Sequence, residues 1–245
     1  MDTYLSVMET LIRQGTRRTT GYFRDWSSFE RTWLLLFTAL NIGLFFAWDD
    51  SLIGLIASLT GMLCVILTAK GKISNYYFGI INCIAYAYVA YSQRYYGEVL
   101  LNILYYLPMS FVGIYCWKQH VNKKKTNDDV IVRWFTWKQQ LMWLAITILG
   151  TLGVGLFLRY IQSDLPFIGA FTVILSIIAM ILTVQRASEQ WILWIIVDVV
   201  TVYMWFVAFA ADGGDVSMLV MWTAFLTNAI YGLYNWNKLA KEATA

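Results

Sequence analysis

Leu52–Thr68, LIGLIASLTGMLCVILT, carries no charged side chain over its whole length. With its neighbours it makes an apolar run of about twenty residues, the length a helix needs to cross a hydrocarbon core about 30 Å thick. A second stretch, Phe167–Thr183, FIGAFTVILSIIAMILT, echoes it. Leu52-Ile53-Gly54 aligns with Phe167-Ile168-Gly169, and Ile66-Leu67-Thr68 aligns with Ile181-Leu182-Thr183. The correspondence continues toward the C-terminal side of each stretch. Asn75-Tyr76 faces Gln190-Trp191, Tyr88 faces Tyr203, and Gly97-Glu98-Val99 faces Gly214-Asp215-Val216. Each unit closes alike, on Gly113, Tyr115, Trp117 and Lys118 against Gly232, Tyr234, Trp236 and Lys238, the last with a small shift.

The composition agrees with lipid as solvent. Of 245 residues, 59% are hydrophobic and 13% charged, where a soluble domain has roughly a quarter charged. The apolar runs predict spans at 32–48, 51–69, 75–93, 97–117, 139–160, 165–184, 190–211 and 215–236. Trp33, Trp48, Trp117 and Trp236 mark their ends, as interfacial belts do. With eight spans, all the Lys and Arg except Arg94 and Arg159 fall on one side, among 18 in total. Cytoplasmic loops accumulate these residues, so both termini are expected in the cytoplasm of a multi-pass protein. Seven or nine spans would scatter the charges. The net charge of +3 follows from this topology, and its dispersal argues against nucleic acid as a partner.

The expected fold is all-α and integral to the membrane. Eight transmembrane helices comprise two parallel three-helix repeats, a linker helix joining them, and one extra N-terminal helix. Three helices is an odd number, so two units joined directly would point opposite ways across the membrane. The fifth span reverses the chain and restores the parallel arrangement, in which a substrate site lies between the repeats near the midplane. The corresponding segments are 1–31 (cytoplasmic), 32–49 (extra helix), 50–118 (first repeat), 119–162 (charged link and linker helix), 163–238 (second repeat) and 239–245 (tail). Within the first segment, Tyr4, Leu5, Val7, Met8, Leu11 and Ile12 have the spacing of a helix lying on the membrane surface, with a frayed tail as the other reading. No cleavable signal peptide is evident. Cys64, Cys83 and Cys116 lie inside apolar spans at no metal-ligand spacing, which suits buried free thiols.

Polar groups at membrane depth point to function, because an ionisable residue there is costly. Asp198 is the clearest. Trp191, Trp194, Asp198, Thr201 and Trp205 share one stripe of the seventh helix, with Trp205 the plainest packing residue. Asn228, Tyr231 and Asn235 share a stripe of the eighth; Asn75, Gly79, Asn82 and Tyr86 one of the third; and Asn102, Tyr105, Tyr106 and Met109 one of the fourth. At about 1.5 Å of rise per residue, Asp198 lies roughly 12 Å inside the cytoplasmic end, with Asn82 and Asn228 near 10 Å. Such Asn residues also serve as plain interhelical hydrogen-bonding groups. Aromatic faces, a few amides and one acid suit a flat, hydroxylated ligand that is neutral or cationic. No Lys or Arg lies deep in a span, which disfavours a phosphorylated substrate.

The pair Trp191-Ile-Leu-Trp194 and the run Asn228-Ala-Ile-Tyr231-Gly-Leu-Tyr234-Asn-Trp236 resemble the PnuC family of bacterial nicotinamide riboside transporters. The resemblance covers roughly residues 50–240, and its three-one-three plan is similar to that of the SWEET sugar transporters. It implies facilitated diffusion of this vitamin B3 precursor across the bacterial inner membrane, drawn forward by a cytosolic riboside kinase. Trp191, Trp194, Asn228 and Tyr231 carry over by motif, whereas Asp198, Asn82, Tyr86, Asn102 and Tyr106 come from the helical faces. Neither a cofactor nor a metal is implied, and a homo-oligomer is compatible with the size. A facilitator of thiamine, riboflavin or a sugar on the same scaffold is the alternative. An enzyme is disfavoured, since His120 stands alone in a charged loop and no HExxH or GxSxG occurs. A TVGYG filter and a GxxxxGK[ST] loop are absent too, against a channel or an ATP-driven pump.

Overall fold

The computed structural model describes residues 26–48, 51–92, 99–121, 129–160, 162, 166–212 and 216–244. Among these residues the chain is all-helical. The helices are α1 (Ser28–Trp48), α2 (Leu52–Ala69), α3 (Asn75–Ser92), α4 (Leu101–Tyr106 and Leu107–Lys118), α5 (Trp137–Tyr160), α6 (Pro166–Val184), α7 (Gln190–Asp212) and α8 (Val216–Thr244). The segment expected as a surface helix, Arg94, and Gly97-Glu98 fall outside the described residues, as does the side chain of Trp205.

Four helices are long and apolar enough to cross a membrane: Ser28–Ala47, Leu52–Ala69, Trp137–Tyr160 and Pro166–Val184. Helix α3 matches α2 in length but interleaves Asn75, Asn82 and five tyrosines with its apolar residues, which lowers its hydropathy. Apolar side chains cover the outside of the molecule. Along α5, Leu141, Leu144, Ile148, Leu149, Leu152 and Leu156 are all exposed. A surface of this kind is a liability in water and fits a multi-pass membrane protein.

The chain divides into two compact units, Met1–Ala39 and Leu40–Ala245. In the first, a capping box starts α1 four residues before the expected span. The Glu30 amide donates to Ser27 Oγ (3.2 Å), and the Ser27 amide donates to Glu30 Oε2 (2.6 Å). Phe29 stacks on Trp33 in the next turn.

In the second unit, the ends of α2 and α6 are built alike. After α2, the Gly71 amide donates to Thr68 O and the Lys72 amide to Leu67 O, both at 2.9 Å. After α6, the Arg186 amide donates to Thr183 O and the Ala187 amide to Leu182 O, again both at 2.9 Å. These are paired Schellman closures, which place one residue in the left-handed region to satisfy carbonyls at the helix end. That residue is Gly71 (φ +68°) in one and Arg186 (φ +60°) in the other. The chain re-enters a helix identically, by Asn75 N to Lys72 O and Tyr76 N to Ile73 O, and by Gln190 N to Ala187 O and Trp191 N to Ser188 O.

The link between α4 and α5 lies across both turns. Val130 N donates to Gly71 O (2.9 Å), while Arg133 N donates to Arg186 O (3.0 Å) and Arg133 O accepts from Ser188 N (2.9 Å). Val130 and Val132 are buried in one core cluster with Ala69, Tyr76, Trp117, Trp191 and Trp236. This aromatic core therefore sits at the end of the bundle where the turns and link meet.

Helix α8 continues to Thr244, through the segment expected as the cytoplasmic tail. Within α4, Leu101–Tyr106 is π-helix, and the Leu107 amide reaches Asn102 O. A π turn has one residue more than an α turn, so the stripe drawn there at 3.6 residues per turn is displaced in register.

Candidate substrate-binding site

Helix α7 begins at the second turn, with Gln190 and Trp191 both buried at its start. The Trp191 ring fills space left open by Gly232, where an added Cβ would stand 2.6 Å from ring atoms. It meets Trp236 edge to face, with centroids 5.8 Å apart. In the other half, Tyr76 fills the space at Gly113, where a Cβ would come within 2.2 Å of its ring, and meets Trp117 edge to face at 5.1 Å. Close approach to a helix backbone requires glycine at both positions.

The two terminal tryptophans then cross to the opposite half. Trp117 Nε1 donates to Thr183 O (3.0 Å) and Trp236 Nε1 donates to Thr68 O (2.9 Å). Those carbonyls lie in the last turns of α6 and α2, where each already accepts one amide of the helix closure, and the tryptophan supplies the second bond a carbonyl oxygen can take. Each tryptophan thus closes a helix end belonging to the other half. Asn235 Nδ2 adds a bond to Ala69 O (2.8 Å). The sequence alignment paired these Gly and Trp residues without their role; the shared spacing from glycine to tryptophan was the available signal.

Around this core the structure brings together several expected site residues. Trp194, Tyr231, Tyr105, Tyr106 and Met109 are half-buried and pack against it. Trp191 is a member of it, at 3% exposure. Tyr105 donates its hydroxyl to Ile177 O (2.6 Å), tying α4 to α6. Asn228 is fully buried; its Nδ2 donates to Val65 O (3.0 Å), whereas its Oδ1 has no partner among the described residues. An acceptor left unpaired in a dry site is costly, which makes it a natural place for a ligand hydroxyl or amide.

Other expected residues are placed apart from the aromatic core. Asn82 Nδ2 donates to Ala57 O (2.7 Å) and lies against Gly61, with Phe225 on its other side, so α2, α3 and α8 converge there. Asn102 is buried within the π segment, and Tyr86 is half-buried on α3. Asp198 is buried at 4% exposure, two turns along α7 from Trp191. Among the described residues, no hydrogen bond or ion pair reaches its carboxyl. Thr201, on the same stripe, bonds back to Val197 O (2.8 Å). No group of three or more His, Cys, Asp or Glu residues that could hold a metal occurs among the described residues.

The basic groups of this end are held by the link. Lys72 pairs with Asp129 at 3.0 Å. Arg186 Nη1 donates to Ile131 O (2.8 Å). Burial, and next the nearby Arg133, pull the Arg186 pKa below its usual value. Both cations belong to the turns.

An all-helical membrane chain with buried amides, a buried carboxyl and an aromatic core has the attributes of a small-molecule transporter. Residues 51–238 match the family model described as "Nicotinamide mononucleotide transporter". The chain belongs to this transporter family, to which no enzymatic activity is ascribed. It is 39% identical over 223 residues to the nicotinamide riboside transporter PnuC of Neisseria mucosa, covering 90% of this chain and 85% of that one. It is 34% identical to the Haemophilus influenzae protein of the same name, covering 90% and 95%. A crystal structure of the vitamin B3 transporter PnuC superposes with a TM-score of 0.81 at 38% identity, covering 91% of this chain and 97% of that one.

Proposed function

We propose that this chain carries nicotinamide riboside across the bacterial inner membrane by facilitated diffusion, and that a cytosolic kinase traps the product. The family is named for the mononucleotide and the relatives for the riboside. The observation that carries the choice is the buried Asp198 carboxyl, on the same helix as Trp191 and Trp194. A pyridinium cation gains from a carboxylate and from aromatic faces. A phosphate beside that carboxylate would be repelled, and the buried cations Lys72 and Arg186 stand in the turns, where they bond Asp129 and Ile131 O.

In this reading Trp194, Tyr231, Tyr86 and Tyr106 enclose the ring. Asn228, Asn82 and Asn102 serve the ribose hydroxyls, Asp198 is the counter-charge, and Trp191 sets the wall behind them. The supporting architecture is eight spans in two parallel repeats, 50–118 and 163–238, with 119–162 between them and both termini cytoplasmic. The paired Schellman turns, the paired Gly–aromatic contacts and the exchanged Trp–carbonyl bonds support that repeat. The aligned Tyr88 and Tyr203 both lie exposed, at 59% and 68%.

Titration of the purified protein by intrinsic tryptophan fluorescence tests the assignment, using the riboside, its mononucleotide and thiamine. Saturable binding of the riboside without the mononucleotide is expected. Preference for thiamine would move the substrate to another vitamin, and preference for the mononucleotide would overturn the charge argument.

A further inference from the structure

We propose that residues 129–135 are a strap that latches the cytoplasmic side shut, and that opening to the cytoplasm detaches it from the first half while it stays fastened to the second. The inference rests on the transport function and topology proposed above. Its grounds are the unequal fastenings at the two ends of the strap.

At the first half, the strap is held by two backbone bonds, Val130 N to Gly71 O (2.9 Å) and Ile131 N to His120 O just beyond α4 (3.1 Å), and by the Lys72–Asp129 pair (3.0 Å). At the second half, Arg133 exchanges bonds with Arg186 O (3.0 Å) and Ser188 N (2.9 Å), and Arg186 Nη1 clamps Ile131 O (2.8 Å). Glu189 Oε1 then accepts from both Phe135 N and Gln140 Nε2, each at 2.8 Å, which ties the strap and the start of α5 to the same turn. Phe135 packs with Ile178, Leu182 and Ala187, all of the second half.

The chemistry of the joints differs as well. Lys72 is 1% exposed, so closing the first joint strips water from an ammonium and a carboxylate. The attraction between buried charges largely offsets that desolvation, and separation returns both to water. The ion pair by itself therefore favours the closed joint little over the open one. The second joint is a backbone ladder whose rupture leaves peptide groups unpaired. Val132 lies within the aromatic core and 3.8 Å from the space at Gly71, so detachment at the first half uncovers the core's cytoplasmic end. Because Trp117 and Trp236 also bridge the halves there, the strap sits directly over contacts that inward opening must break.

Two disulfides separate the joints. Lys72 and Asp129 are antiparallel bridge partners, and Arg133 and Ala187 parallel ones. Paired strand residues lie about 4.5–5.5 Å apart, within the range a disulfide spans. Lys72→Cys with Asp129→Cys, and Arg133→Cys with Ala187→Cys, are placed in a chain whose Cys64, Cys83 and Cys116 are alanine, and riboside uptake is measured in liposomes. Oxidation of the 72/129 pair is expected to lower uptake at least tenfold, reversibly with reductant, while riboside binding persists. Oxidation of the 133/187 pair should leave uptake within twofold. Unchanged uptake by the oxidised 72/129 protein, or equal loss in both, overturns the proposal. Failure of the reduced proteins to take up riboside would instead count against the transport reading. A readout independent of substrate is labelling of Val132→Cys by a membrane-impermeant maleimide from the cytoplasmic side. Adding Asp129→Asn should accelerate it at least threefold, and an unchanged rate overturns the latch.

Discussion

The turn after α2 and the turn after α6 share their hydrogen bonds almost atom for atom, yet they carry different side chains. Gly71 stands in one where Arg186 stands in the other, and Tyr76 where Trp191 stands. Seven residues beyond these aromatics, Cys83 is buried in the first half and Asp198 in the second. The elements that hold shape are duplicated: the helix closures, the glycine sockets and the exchanged tryptophan bonds. The charge is not. A scaffold of two similar halves can therefore bind an asymmetric ligand, because the backbone sets the space and single substitutions within one half set its chemistry.

The largest expected effect breaks the comparison at Asp198. Asp198→Asn keeps the size of the side chain and removes its charge. Losing one partner of a buried charge pair costs about 2–5 kcal/mol, so riboside binding should weaken roughly thirtyfold or more. Cys83→Ser, at the counterpart position, should change binding little. Fluorescence titration of both variants decides this, and equal weakening would place the ligand symmetrically between the halves.

Next come the glycine sockets, where the halves should behave alike. Gly113→Ala pushes a methyl to within 2.2 Å of the Tyr76 ring, and Gly232→Ala one to within 2.6 Å of Trp191. Overpacking of this kind costs about 1–3 kcal/mol. Thermal unfolding in detergent should show both variants destabilised, Gly113→Ala the more. A wild-type melting temperature for either would mean that its aromatic neighbour is free to swing away.

These sockets also show what the sequence reveals and what it withholds. Gly113 with Trp117, and Gly232 with Trp236, were visible as matching ends of two units. Their partners were not, since each tryptophan bonds a backbone carbonyl in the other half, and carbonyls carry no sequence signal. The strap was hidden for the same reason, joined as it is by main-chain groups and by an ion pair spanning 57 positions. The π turn of α4 is unmarked in composition, which displaced the stripe containing Asn102. The early start of α1 was legible in Ser27 and Glu30 and was missed by counting apolar residues alone. That Trp191, Trp194 and Tyr231 gather at one core was suggested by motif and helical spacing. The role of Trp191 as a core residue against Gly232 was not.

The exchanged tryptophans should give a smaller, matched effect. Trp117→Phe and Trp236→Phe each keep an aromatic ring and remove one bond to a carbonyl, at about 1 kcal/mol apiece. Similar losses of stability in the two variants are expected from the similar bond lengths of 3.0 and 2.9 Å. A loss confined to one variant would mean that a single half carries the closure.

The smallest effect, near zero, is expected at Arg186, and it sets that turn apart from its counterpart at Gly71. At Gly71 an added Cβ has room, its nearest neighbour being Leu239 Cδ1 at 3.6 Å, so Gly71→Ala costs only what a left-handed backbone costs an L-residue, about 1–2 kcal/mol. Arg186 already bears that cost at φ +60°. Arg186→Gly relieves it but removes the bond to Ile131 O, worth about 1 kcal/mol net or somewhat more for a charged donor. The two terms nearly cancel, so its melting temperature should stay near that of the parent while Gly71→Ala falls. Equal falls would show that Arg186 contributes more than one hydrogen bond to holding the strap, and that the second turn accepted a strained residue in order to keep it.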